Sequence, residues 1–144
     1  MDETIVVQKR PVGRLVGVRD PEACDGCPLQ KRHRLEFVSF ELFGSEKAEF
    51  VIVGESPAAE DYKSGRPFSG KVKGIIDGVV NGYSNFALCN AVMCRPLEIA
   101  NGEVIGNRTP TDEEVFFCSS RYLNKFLEKL DSDVIVVLGG PVMR

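Results

Sequence analysis

No apolar run in the 144 residues approaches the roughly 18 to 20 that a membrane-spanning helix needs, and Met1 opens onto charged residues instead of the apolar core of a signal peptide. An intracellular protein with no membrane association is therefore expected. Neither sign of charge dominates: 18 Lys and Arg stand against 21 Asp and Glu, a net −3. Any nucleic-acid binding must then rest on a local patch and not on overall charge. There is a single histidine, His33, so a paired-histidine metal site is excluded and the residue reads as a surface one. No internal repeat is visible. What the chain does have is 43% hydrophobic residues, 27% charged residues and nine Phe. That composition fills the core of one globular domain and lies outside the disordered and collagen-like classes.

Residues 1–20 form a polar arm punctuated by Pro and Gly, with Lys9, Arg10, Arg14 and Arg19 expected in solvent, and 21–144 read as a single domain. A tight turn, Cys24-Asp25-Gly26-Cys27-Pro28, precedes the basic run Lys31, Arg32, His33, Arg34. Phe50 to Val53, Phe86 to Met93 and Val134 to Leu138 are short apolar β-branched runs of the kind buried on both faces in a parallel sheet. Between the first two, a long Gly-, Pro- and charge-rich loop, Glu55 to Gly70, leads into a helix over 69–80. After the second, Ile99, Asn101-Gly102 and Val104 predict a hairpin with a type I′ turn. Thr111 with Glu114 predicts a capping box that opens a helix to about Leu130. Strand, helix, strand, helix, strand is the order of an α/β fold, a three-layer α/β/α sandwich around a central parallel sheet. Both faces of such a sheet need cover, so a domain longer than these residues is expected.

Five cysteines in a reducing compartment call for something other than disulfides. Cys24 and Cys27 form a CxxC pair, Cys94 follows after 66 residues and Cys118 after 23 more. A CxxC turn can present two thiolates to one centre, so an iron–sulfur cluster, a zinc site and a redox pair with two bystanders all fit the spacing. Cys89, inside the second apolar run, reads as a core thiol. The loop after the first strand lies where open α/β sheets place ligands. It offers Glu55, Glu60 and Asp61 as carboxylates and Phe68 as a stacking ring, with Gly70 at a helix start. Glu55 could hold a water, and Asn90 could pair with a base edge from the second strand.

Together these pieces resemble the uracil-DNA glycosylase superfamily, in particular its family 4, the iron–sulfur type. The matching stretches are CDGCPL from Cys24, VIVGESPAAED from Val51, SGRPFSGK from Ser64, CNAVMCRP from Cys89, NRTPTDEEV from Asn107 and VIVVLGG from Val134, in the family's order. The resemblance implies that Cys24, Cys27, Cys94 and Cys118 ligate a 4Fe-4S cluster. It implies that Glu55 handles the hydrolytic water, Phe68 stacks on uracil, Asn90 reads the uracil edge and Ser56 offers a backbone N–H. The implied partner is uracil-containing DNA, acted on by a monomer that flips the deoxyuridine out of the stack.

Three departures accompany the resemblance. Ala58 stands where the family usually has Gly after the motif's proline, and the 98–106 hairpin is longer than the usual connection. The family's later HP-type motif, whose histidine stabilises charge on uracil O2, is not among the 144 residues, and His33 lies elsewhere. The alternative expectation is thus a catalytically inactive iron–sulfur module of the same fold, acting in DNA binding or structure.

Overall fold

The computed structural model describes residues 10–31 and 36–139; Arg32, His33 and Arg34 of the basic run, and residues 1–9 of the arm, lie outside them. The chain forms β1 (Arg14–Val16), a 3-10 turn (Pro28–Lys31), β2 (Phe40–Phe43), β3 (Phe50–Gly54), α1 (Ala59–Ser64) and α2 (Lys73–Val80). It continues with β4 (Phe86–Asn90), the hairpin β5 (Leu97–Ala100) and β6 (Glu103–Asn107), then α3 (Asp112–Arg121), α4 (Leu123–Lys129) and β7 (Ile135–Val137). No helix among the described residues is long and apolar enough to cross a membrane.

The three apolar runs become β3, β4 and β7, and they pair in parallel with β3 in the centre. Alternation along each strand sends side chains to two faces. Val51, Val53, Ala87 and Cys89 pack with Phe40 and Leu42 against Tyr122, Leu123 and Phe126 of the α3–α4 layer. Ile52, Phe86 and Leu88 pack with Phe43 against Ile76 and Val80 of α2. Helices on both faces give the expected three-layer α/β/α sandwich. Stacked rings tie its layers, with Phe40 and Phe126 centroids 4.4 Å apart.

The sheet itself is mixed and not purely parallel. Its order is β1-β2-β4-β3-β7, with β2 antiparallel to β4 and β1 antiparallel to β2. The strand β2 escapes an apolar-run reading because Glu41 interrupts it. That carboxylate is fully buried and paired with Arg66 at 2.6 Å, a partner 25 residues away. Within the arm two expectations are corrected: Arg14–Val16 form an edge strand, and Arg10 is buried and not solvated. At the opposite edge β7 is exposed, its residues 37% to 50% accessible.

The expected helix over 111–130 opens at the capping box, where Thr111 Oγ1 accepts from the Glu114 N–H at 3.1 Å and Glu114 Oε1 accepts from the Thr111 N–H at 2.8 Å. It breaks into α3 and α4 at Tyr122, whose dihedrals of −120° and −66° leave the helical region. There the Tyr122 hydroxyl turns to Cys24 Sγ, 3.0 Å away, and accepts from the Asp20 N–H at 2.9 Å. The hairpin matches its prediction: Asn101 and Gly102 take φ of +53° and +77°, as a type I′ turn requires.

Candidate active site

The carboxyl ends of the parallel strands open onto a cavity of about 540 Å³, enough for a nucleobase and part of its sugar. Gly54 ends β3, Asn90 ends β4, and Gly139 lies just past β7, so the three strands deliver their termini to one place. Glu55, Ser56, Phe68 and Asn90, drawn from three separate stretches of sequence, all line this cavity.

Two backbone features allow the convergence. A Cβ at Gly54 would lie 2.6 Å from Asn90 Oδ1 and 2.7 Å from Phe68 Cε1, so only glycine lets the amide and the ring close over the strand end. Phe68 has a φ of +55°, left-handed space that a bulky L-residue enters only when its surroundings force it. The forcing groups are visible. Asp61, buried, accepts from the Ala58 N–H at 3.2 Å and from the Ser69 N–H at 2.8 Å, which pins both ends of the loop. Arg10 donates to the carbonyl of Pro67 at 2.8 Å and to that of Phe68. The helix α1 inside this loop was not expected, because its six residues, ended by the left-handed cap Gly65, are too few for a helical period to show.

Glu55 lies opposite Gly139, whose Cβ position would be 3.7 Å from Glu55 Oε2, so the carboxylate faces the wall formed by the end of β7. The 98–106 hairpin also reaches the cavity. Asn107, the last residue of β6, lines it, and its Oδ1 accepts from Arg95 Nε. Arg95 is held in turn by Glu36 at 3.2 Å. With its oxygen engaged, Asn107 has its amide NH₂ left to donate.

All five cysteines are reduced and buried. Cys24 and Cys118 lie in the core layer beside Tyr122, while Cys27 and Cys94 pack together with Leu29 and Val92. Burial pushes the Cys94 thiol well up, and Cys118, Cys24 and Cys27 push it further, which marks the four as electrostatic neighbours. Cys118 is pushed up to about 12, chiefly by burial and against the pull of the Met93 N–H, which donates to its sulfur at 3.2 Å. Cys89 stands apart in the sheet against the Ile52 carbonyl, the core thiol expected from the sequence. Among the described residues, no three His, Cys, Asp or Glu side chains are grouped to hold a metal ion.

Residues 42–144 match the model of the family described as the Uracil DNA glycosylase superfamily. The chain belongs to this superfamily. It is 34% identical over 124 residues to the Type-4 uracil-DNA glycosylase of Thermotoga maritima, covering 83% of this chain and 58% of that protein. It is 33% identical over 126 residues to the Archaeoglobus fulgidus protein of the same name, covering 85% and 57%. With the Type-4 protein of Pyrobaculum aerophilum it shares 36% over 122 residues, 81% and 55%. The chain thus spans less than two thirds of the length of these relatives.

Within the superfamily's motifs, Ala58 occupies the departure from glycine without blocking the cavity, which it helps to line, and it forms the cap of α1. Sequence reasoning missed Arg10, Gly54 and Asn107 as contributors to the site. Gly54 carried a signal, a glycine closing a buried strand at a ligand position. Arg10 carried none, since its reach into the site depends on tertiary placement, and Asn107 carried only its place at the head of the NRTPTDEEV stretch.

Proposed function

We propose that the cavity binds a flipped deoxyuridine and that the domain serves a DNA-repair glycosylase that hydrolyses its N-glycosidic bond, releasing uracil. The observation that supports this most is the gathering of Glu55, Ser56, Phe68 and Asn90, from three separate stretches of sequence, around one cavity at the strand ends. Phe68 stacks on the base, Asn90 reads its edge by paired hydrogen bonds and the Ser56 N–H contacts it. The C1′–N1 bond breaks with its electron pair leaving on uracil, and the sugar passes through a cation. Water held by Glu55 adds to C1′ and gives up its proton to that carboxylate. DNA containing uracil is the partner, engaged by a monomer inside the cell.

The same reading assigns Cys24, Cys27, Cys94 and Cys118 to a 4Fe-4S cluster. The donor set fits: four buried sulfurs, neighbours by their mutual electrostatics, with an N–H already donated to Cys118 and Arg19 and Arg121 nearby to ease negative charge. In a 4Fe-4S cluster each of the four thiolates would bind its own iron. When bound, the cluster acts as a structural tie. The protein's own residues join the Cys24 turn, the segment after β4 and α3.

The test is uracil release from a deoxyuridine-containing single strand, run beside iron and sulfide analysis of the same anaerobic preparation. Free uracil with about four irons per chain, as a cysteine-ligated cluster requires, is the expected result. Stoichiometric zinc without iron withdraws the cluster assignment. An iron-replete chain that releases nothing favours the inactive module.

A further inference from the structure

We propose that Arg10 is a positioning residue of the base-binding pocket, bracing Phe68 in the left-handed conformation that sets its ring over the strand ends. The proposal rests on the uracil-binding reading of the cavity and adds to it a group from outside every motif of the superfamily match.

The guanidinium does what few surface arginines do. Its side chain is 1% exposed, and a single nitrogen, Nη2, donates to two consecutive carbonyls, those of Pro67 and Phe68. Two consecutive carbonyls can face one donor only if the residue between them bends the chain, and that residue is Phe68 at φ +55°. On the far side of the same peptide, Asp61 accepts the Ser69 N–H at 2.8 Å. The peptide groups on both sides of the Phe68 Cα are therefore held, one by Arg10 and the other by Arg10 and Asp61 together, and neither φ nor ψ is left to the ring's own preference.

Arg10 is itself anchored. Its Nε lies 3.3 Å from Asp77 Oδ1, and Asp77, 2% exposed on α2, also takes Lys73 Nζ at 2.7 Å. The loop returns the grip, since Arg66 donates to the Pro11 carbonyl at 2.7 Å and pairs with Glu41, which accepts the Gly13 N–H at 3.1 Å. Residues 10–13 and 66–68 thus clasp each other through reciprocal arginines. Stability alone does not call for this chemistry, because a buried ion pair is often replaceable by apolar groups at no loss. A fixed backbone under a strained aromatic does call for it.

The test uses the full 144-residue chain with 4-fluorophenylalanine placed only at position 68, and free uracil as the probe. Wild type gives one fluorine line; Arg10→Ala shifts or splits it, Arg10→Lys does so less, and Arg14→Ala, four residues on at the start of β1 and directed at the Gly44 carbonyl, leaves it unchanged. Arg10→Ala weakens uracil binding about tenfold, as expected for a misplaced pocket wall, and adds nothing further once Phe68→Leu is present. An unchanged fluorine line, or a full additive loss in the Phe68→Leu background, overturns the proposal. A line that responds to Arg10→Ala in a chain that never binds uracil upholds the brace and rejects the reading of the cavity. If Arg10→Ala does not fold, Arg10→Lys carries the same comparison.

Discussion

Gly54 and Asn90 are the last register pair of the β3–β4 ladder, and a Cβ at Gly54 would lie 2.6 Å from Asn90 Oδ1. The same Cβ would meet Phe68 Cε1 at 2.7 Å, so one hydrogen atom's worth of space decides whether amide and ring share the cavity. Gly54→Ala therefore displaces one or both. Overpacking of this kind costs about 1 to 3 kcal/mol, a loss that leaves a folded protein. Calorimetry and uracil titration of the variant should show modest destabilisation with a disproportionate loss of affinity; equal affinity would mean that the two side chains do not form the base site.

Glu55 and Asn90 should divide chemistry from recognition. Removal of a carboxylate that handles the water costs about 10² to 10⁴ in rate, and loss of an amide that holds the departing base about 10² to 10³. In a preparation that releases uracil, Glu55→Ala and Asn90→Ala should lower that release by these factors with iron content unchanged. Normal release by both variants would remove the roles assigned to them.

Cys94→Ala should lose the cluster and with it cooperative folding. A metal centre that assembles only in the folded chain contributes its binding energy to folding, and Cys94 sits at the junction of the sheet with the Cys24 turn. Visible absorbance and thermal melting of the anaerobic protein follow both effects. A well-folded, iron-replete variant would show that the ligand set is wrong.

The capping box at α3 predicts an acid limit to stability. Burial works to raise the Glu114 carboxyl, but the bidentate Arg108 pair, at 2.7 Å on each oxygen, and the Thr111 N–H outweigh it and hold it below the usual carboxylate range. A carboxylate depressed in the folded state contributes stability that is full above its unfolded value, about 4.3, and is lost as pH falls through the lower folded value. Urea melts should therefore weaken below about pH 4. Arg108→Ala, which strands a buried carboxylate, should cost about 3 kcal/mol at neutral pH and flatten the acid slope. An acid slope unaltered in that variant would place its origin elsewhere.

The parallel core was legible because β3, β4 and β7 are uninterrupted apolar runs, and the α3 start because Thr111 and Glu114 carry their own partners three residues apart. That Glu55, Phe68 and Asn90 would come together was legible from their places at the strand ends and from the motifs' joint order, since a lone Glu55 or Phe68 means little by itself. What stayed hidden depended on distant partners. The strand β2 hides behind Glu41, whose neutralising Arg66 is remote in sequence, and Arg10 looked like a solvated charge until Asp77 and the 67–68 carbonyls were placed around it. The break at Tyr122 follows from a hydroxyl reaching Cys24 and Asp20, about a hundred residues earlier, which helical periodicity does not record.

The central claim is that the cavity at the ends of β3, β4 and β7 seats uracil. Titration of the isotopically labelled 144-residue chain with uracil tests it most directly. Saturable shifts of the Gly54, Ser56 and Asn90 backbone amides, abolished by Asn90→Ala, are the predicted result. A folded chain whose amides stay still, or move alike with and without the Asn90 side chain, would contradict it.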